Sequence, residues 1–330
     1  MNAASAALGW VAALIARLPY RALGPLGALV GLLVGEALRV RRAEVTGRLR
    51  RAGFAEPTAI ARAMYLSLGR GLFELLWAGG RPGRSLAARV RLTERAIAVL
   101  ASLEGRGAVL ASAHTGNWDL AACAVAETYA LLVVTKRLHV RALDGLWQGL
   151  RSGRGVSLVS GRGSLTKALA ALGEGSLVAI MIDQAPEGRG RTLVHPFLGL
   201  PAKHDRLAAT LAARSGRPLL VTFPKRERDG SHLLDIVDVI TPPSEGARAG
   251  WVDEATKRGS AALEAFVRQQ PEQWLWLHRR WKGVAATATE DTTAPAPTPM
   301  EGARAAAPAP TEDARVPWPR PAGHGSAPGP

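Results

Sequence analysis

Between residues 108 and 240, short apolar runs alternate with stretches of helical period. That alternation restricts the fold more than any other feature of the chain. The runs are residues 108–112, 130–135, 156–160, 176–182, 218–223 and 233–240, each bounded by glycine, proline or a charge. Helical stretches lie between several of them, at 120–127, 143–150, 165–172 and 206–214. Upstream, residues 58–77 read as a helix, because Ile60, Met64, Leu68, Leu72, Leu75 and Leu76 recur every three to four positions. Strands alternating with helices predict an α/β fold with a largely parallel central sheet flanked by helices. In such sheets the working side chains collect at the carboxyl ends of the strands.

The ends of the chain read differently from this middle. Residues 3–16 carry no charge, Arg17-Leu18-Pro19-Tyr20-Arg21 interrupts, residues 22–35 are again uncharged, and Arg39-Val40-Arg41-Arg42 follows. A spanning helix needs about 20 apolar residues, and neither run reaches that alone. The pattern fits a single span near 23–38, a monotopic or re-entrant hairpin held at anionic headgroups by Arg39, Arg41 and Arg42, or a buried helix pair. A secretory signal fits poorly, because no basic segment precedes the first run. The expectation is a membrane-anchoring helical segment over 1–42 and a folded domain over 43–282. Residues 283–330 are rich in Ala, Pro, Thr and Gly without apolar period, which predicts a disordered tail.

The formal charge is +15 over 330 residues. In the tail, Glu290, Asp291, Glu301, Glu312 and Asp313 outnumber Arg304, Arg315 and Arg320, so the positive excess belongs to the folded part. Such a surface favours an anionic partner. The basic residues are dispersed and no nucleic-acid motif occurs, which speaks against nucleic acid. The single cysteine, Cys123, excludes an intrachain disulfide and lacks partners for a zinc or redox motif. No metal or cofactor is expected.

The chemistry-bearing stretch is Ser112-Ala113-His114-Thr115-Gly116-Asn117-Trp118-Asp119. His114 follows a strand, Asp119 opens a helix, and Thr115, Gly116 and Asn117 are turn and cap residues. The intervening chain is short enough for the carboxylate to reach back to the imidazole. A carboxylate accepting from Nδ1–H fixes the tautomer and leaves Nε2 free to take a proton from an attacking alcohol.

His-Thr-Gly-Asn-Trp-Asp resembles the active-site block of the bacterial lipid A late acyltransferases, and also that of the phosphatidylinositol mannoside acyltransferases. Met181-Ile182-Asp183-Gln184 and the run from Gln273 through Trp274, Trp276, His278, Arg279 and Arg280 to Lys282 match the same families in the same order. The apolar N-terminus and His195-Pro196-Phe197-Leu198-Gly199-Leu200-Pro201-Ala202 resemble them too, so the likeness covers roughly residues 10–282.

The resemblance implies an O-acyltransferase at the cytoplasmic face of the inner membrane. It would move a fatty acyl group from acyl carrier protein or acyl-CoA to a hydroxyl of a glycolipid or lysolipid. His114 becomes the general base and Asp119 its orienting acid. Arg151, after Trp147-Gln148-Gly149-Leu150, becomes an oxyanion or phosphate ligand, with Arg154 a nearby alternative. Asp183 holds a cation such as Arg151, or an acceptor hydroxyl. Asn117, Trp118, Gln184, the pairs Lys136-Arg137 and Lys225-Arg226, and His278-Arg279 are candidate substrate contacts. Solvated strand-end charge accounts equally for the two basic pairs, and packing on the sheet accounts for the tryptophans. This chain departs from the lipid A enzymes at Asp119, where they usually carry Glu. The Asp form looks more like the mannoside and glycerolipid enzymes, which leaves the acceptor open. A non-catalytic basic protein at the membrane surface is the reading from another class.

Overall fold

A computed structural model describes residues 3–81, 83–137, 140–186, 192–244 and 248–284. The tail expected over 283–330 lies, beyond residue 284, outside the described residues. The chain opens with α1 (Ala3–Arg17) and α2 (Tyr20–Leu32), which continues through a π-helical turn over Leu33–Ala37. There follow α3 (Arg42–Arg51), α4 (Pro57–Gly79), β1 (Val90–Leu92), α5 (Glu94–Ser102), β2 (Ala108–Ser112), α6 (Trp118–Val125), β3 (Leu131–Val134) and α7 (Arg141–Ser152). The second half comprises β4 (Ser157–Val159), α8 (Ser164–Gly173), β5 (Leu177–Met181), β6 (Thr192–Phe197), β7 (Leu200–Asp205), α9 (Leu207–Ser215), β8 (Leu219–Arg226), β9 (His232–Ile240) and α10 (Arg248–Gln269).

Among the described residues, seven strands form one sheet in the order β1-β9-β8-β2-β5-β3-β4, parallel except where β9 runs against β8. β6 and β7 form a separate antiparallel hairpin. All six apolar runs became strands of the main sheet. Every residue of β2 is buried, as expected of a central parallel strand covered by helices on both faces. The lone Cys123 sits within α6, fully buried, and burial pushes its thiol up to about 12. It is an inert packing residue.

The apolar N-terminus packs on the protein. α2 lies along α4, and α1 contacts α4 and α7. The approach of α2 to α4 is close: a Cβ on Gly31 would stand 2.2 Å from the Tyr65 carbonyl oxygen, and one on Gly69 would stand 2.1 Å from the Gly27 oxygen. No single described helix is long and apolar enough to cross a membrane.

Candidate active site

β2, β3 and β5 end side by side, and a cleft of about 510 Å³ opens at those ends. His114, Trp118, Lys136, Arg137, Arg151, Gln184 and His278 line it, with Trp147 and Gln148 from α7 and Leu275 and Leu277 from the C-terminal segment. Seven of the residues singled out in the sequence therefore meet in one cavity.

The partner of His114 differs from the sequence expectation. His114 Nδ1 lies 2.9 Å from Asp183 Oδ1, and the Asp119 carboxylate points elsewhere. Strand register explains this. Parallel pairing puts Ser112 opposite Met181, and two more residues along each chain bring His114 opposite Asp183. Asp119 instead sits in the first turn of α6 and accepts from Arg151 Nη1 at 3.2 Å. Arg151 also donates to Gln148 Oε1 at 2.8 Å. The expectation that Asp183 holds Arg151 is corrected by the same geometry.

Asp183 is fully buried and accepts two further hydrogen bonds, from the His114 backbone N–H and the Trp274 indole N–H, both at 3.1 Å. Burial would raise its carboxyl, but the charge of His114, the hydrogen bonds from its ring and backbone, and the charge of His278 outweigh burial and hold it well below the ordinary range. An ionised carboxylate only accepts, so Nδ1 must carry the proton and the Nε2 lone pair is left free. For His114, burial alone would lower the pKa; Asp183 outweighs it, and the net shift is upward. The rings of Trp118 and His278 pack edge-on against the imidazole, with centroids 4.9 and 4.6 Å away. Burial, then the charge of His114, lowers His278 to about 4, so it is neutral at physiological pH. Burial raises the Asp119 carboxyl against the pull of Arg151.

His114, Asp183 and His278 offer ligand atoms within 4.8 Å of one another. The Asp183 oxygens are already occupied by three N–H donors, which suits a hydrogen-bonded base better than a metal cradle.

The turn between His114 and α6 needs its glycine. Gly116 has φ +52°, and a Cβ there would meet the Pro224 carbonyl oxygen at 2.6 Å. Asn117 caps α6 by accepting from Leu120 N at 3.1 Å, and its amide donates to Glu74 and to the Gly71 carbonyl. It is buried and does not line the cleft, unlike the substrate contact expected from the sequence.

The other basic candidates are also placed differently. Arg226 pairs with the buried Glu74 and Lys225 with Glu227, both outside the cleft lining. Arg279 is exposed and does not line the cleft. Arg154 pairs with Glu127 and donates to the Arg81 carbonyl, away from the site. Trp274 and Trp276 are buried in a cluster with Phe197 and Trp281, so packing is their role. Trp274 also anchors Asp183, a contact that no local pattern announced. Gln148, three residues before Arg151 on one helical face, was findable from spacing.

The family model for bacterial lipid A biosynthesis acyltransferases matches residues 4–283. The chain belongs to this family. A lipid A biosynthesis lauroyltransferase of Escherichia coli (strain K12) is 26% identical over 280 residues, covering 82% of this chain and 88% of that protein. The protein is accordingly an acyltransferase, which sets aside the non-catalytic reading. The matched span takes in every cleft residue named above.

Proposed function

We propose that the protein transfers a fatty acyl group from an acyl thioester, on acyl carrier protein or coenzyme A, to a hydroxyl of a lipid A-like glycolipid, with His114 as general base. The observation that carries this reading is the buried Asp183–His114 pair presenting a free Nε2 to the cleft. Nε2 takes the acceptor hydroxyl proton as the oxygen attacks the thioester carbon. Arg151 lines the same cleft and is the guanidinium we assign to the tetrahedral oxyanion. Collapse breaks the C–S bond, and the imidazolium returns the proton to the departing thiolate. The products are an ester and a free thiol. No enzyme nucleophile is needed, because the acceptor hydroxyl attacks directly. Family membership supports the acceptor class, and Lys136 and Arg137 at the cleft supply cationic groups for phosphates of donor or acceptor.

The test is transfer of labelled acyl groups from acyl carrier protein or acyl-CoA to lipid A precursors, lysophospholipids and mannosides by the detergent-purified protein. His114→Ala is expected to lower the rate by about 10²–10⁴-fold, the usual worth of a positioned base. Wild-type rates in that variant would rule the mechanism out.

The site is further proposed to work at the cytoplasmic face of the inner membrane, on a monotopic attachment. The helices that pack on α4 also turn large apolar side chains outward: Trp10, Val11 and Leu14 on α1, and Leu26 and Leu29 on α2, with Leu33 just beyond. Val140 and Leu143 at the start of α7 are exposed as well, next to Lys136 and Arg137 in the chain. Outward apolar surface with basic residues nearby suits insertion among anionic headgroups. Leu14 and Leu29 are 63% and 64% exposed, so charging them should spare the fold. Leu14→Asp with Leu29→Asp is expected to weaken binding to anionic phospholipid vesicles by roughly 10-fold or more. Unchanged cosedimentation would refute this attachment.

A further inference from the structure

Glu74 is a buried carboxylate that takes no part in the chemistry above. It lies near the C-terminal end of α4, only 3% exposed, and gathers polar groups from four other parts of the chain. Asn117 Nδ2 donates to it at 2.8 Å, Arg226 Nη2 at 2.8 Å, the His232 ring at 3.0 Å through Nε2, and the Tyr20 hydroxyl at 3.3 Å. Burial opposes ionisation, but His232 and Arg226 outweigh it and hold the carboxyl down at about 2. Burying such a cluster costs desolvation energy that an apolar core would not incur. Its location suggests what that cost secures.

Two of the partners of Glu74, Asn117 and Arg226, lead to the active site. Asn117 is the cap of α6, and the first turn of α6 carries Trp118, which packs on His114, and Asp119, which holds Arg151. Arg226 leads the other way. Its backbone N–H donates to Gln273 Oε1 at 2.6 Å, and its carbonyl accepts from Gln273 Nε2 at 3.0 Å. The Gln273 carbonyl in turn accepts from Gly116 N at 2.9 Å. The next residue, Trp274, donates to Asp183, and Leu275 N donates to the His114 carbonyl at 3.0 Å. Glu74 thus ties the turn after β2, the end of β8 and the Trp274 segment to one point on α4.

We propose that Glu74 is a positioning residue for acyl transfer, holding the His114 turn and the Trp274–Asp183 contact in register through Asn117 and Arg226. This rests on the proposed role of His114 as base. A displacement of about 1 Å at reacting groups can cost on the order of 10² in rate, so a clamp of this kind acts on turnover without touching substrate.

Two substitutions test it. Glu74→Gln keeps the shape and an acceptor oxygen but removes the charge that gathers Arg226 and His232. Asn117→Ser keeps a good helix cap but is too short to reach Glu74, and it serves if Glu74→Gln fails to fold. Each is expected to lower kcat by about 10–100-fold, with KM for the acyl thioester within about twofold of wild type. The double variant should lose less than the product of the single losses, because both act along one path. A kcat per folded molecule equal to wild type in Asn117→Ser, or a rise in KM alone, would overturn the proposal. The indole N–H resonance of Trp274, assigned with Trp274→Phe, provides a readout that needs no substrate. It should move in Glu74→Gln, and an unmoved resonance overturns the clamp. If the wild-type protein transfers no acyl group, the base mechanism fails, and this resonance still decides whether Glu74 positions the site.

Discussion

Asp183→Asn is expected to lower kcat by about 10²–10⁴-fold and to move the acid limb of the pH–rate profile to lower pH. His114 is a competent base only when neutral, so activity falls as pH drops through its pKa. In the wild-type protein burial would lower that pKa, but the Asp183 carboxylate outweighs burial and lifts it above the ordinary 6.5. With Asn at 183 the burial contribution remains and the main opposing charge is gone. The limb therefore shifts down even as the maximal rate collapses. The collapse has its own cause. An amide can offer its NH2 to Nδ1, which favours the tautomer with the proton on Nε2, where it blocks base action. The profile of kcat/KM against pH checks both parts. Asp119→Asn supplies the contrast: if Asp119 were the partner of His114, as its position five residues along suggests, that variant would carry the limb shift instead. An unshifted limb in Asp183→Asn, or a larger shift in Asp119→Asn, would refute the assignment.

The second large effect is expected at Asp119 and Arg151. Their side chains are 4% and 9% exposed, and the ion pair joins the start of α6 to the end of α7. Asp119→Ala strands a buried guanidinium, which typically costs about 3–5 kcal/mol. For a domain of this size that corresponds to a fall in Tm of roughly 10 °C. Arg151→Ala should lower kcat by about 10²–10³-fold, the range for losing one donor to a developing oxyanion. Replacing both, as Asp119→Ala with Arg151→Met, should recover most of the stability, because an apolar pair avoids the desolvation cost, while activity stays low. Thermal unfolding and single-turnover rates on the same preparations separate the two contributions. Recovery of activity in the double variant would show that Arg151 acts only as a structural cation.

The parts of the fold that were legible share a local physical basis. The runs of β2, β3, β5 and β8 were visible because a strand covered on both faces must be largely apolar along its length, and residues 108–112 match β2 at both ends. β1 and α5 were not legible, since Arg91 interrupts β1 so that it forms no apolar run, and only its pairing with β9 makes it a strand. The hairpin of β6 and β7 lies outside the main sheet, and its alternating exposure gives no apolar run. At the site, His114, Arg151, Gln184 and His278 were recoverable from strand ends and motif likeness. Lys225 and Arg226 sat at an equally plausible strand end, yet Arg226 turns inward to Glu74, 152 residues away in sequence.

What the sequence by itself determined was the set of candidate groups and the layout that brings them to the carboxyl ends of the strands: a histidine after β2, an acid at the start of α6 and another after β5. Only the tertiary structure decided which acid serves the histidine. Sequence distance favours Asp119, because the chain between is short. The parallel register of β2 with β5 favours Asp183, and register wins because backbone pairing fixes both residues side by side, while the first turn of α6 carries Asp119 away toward Arg151.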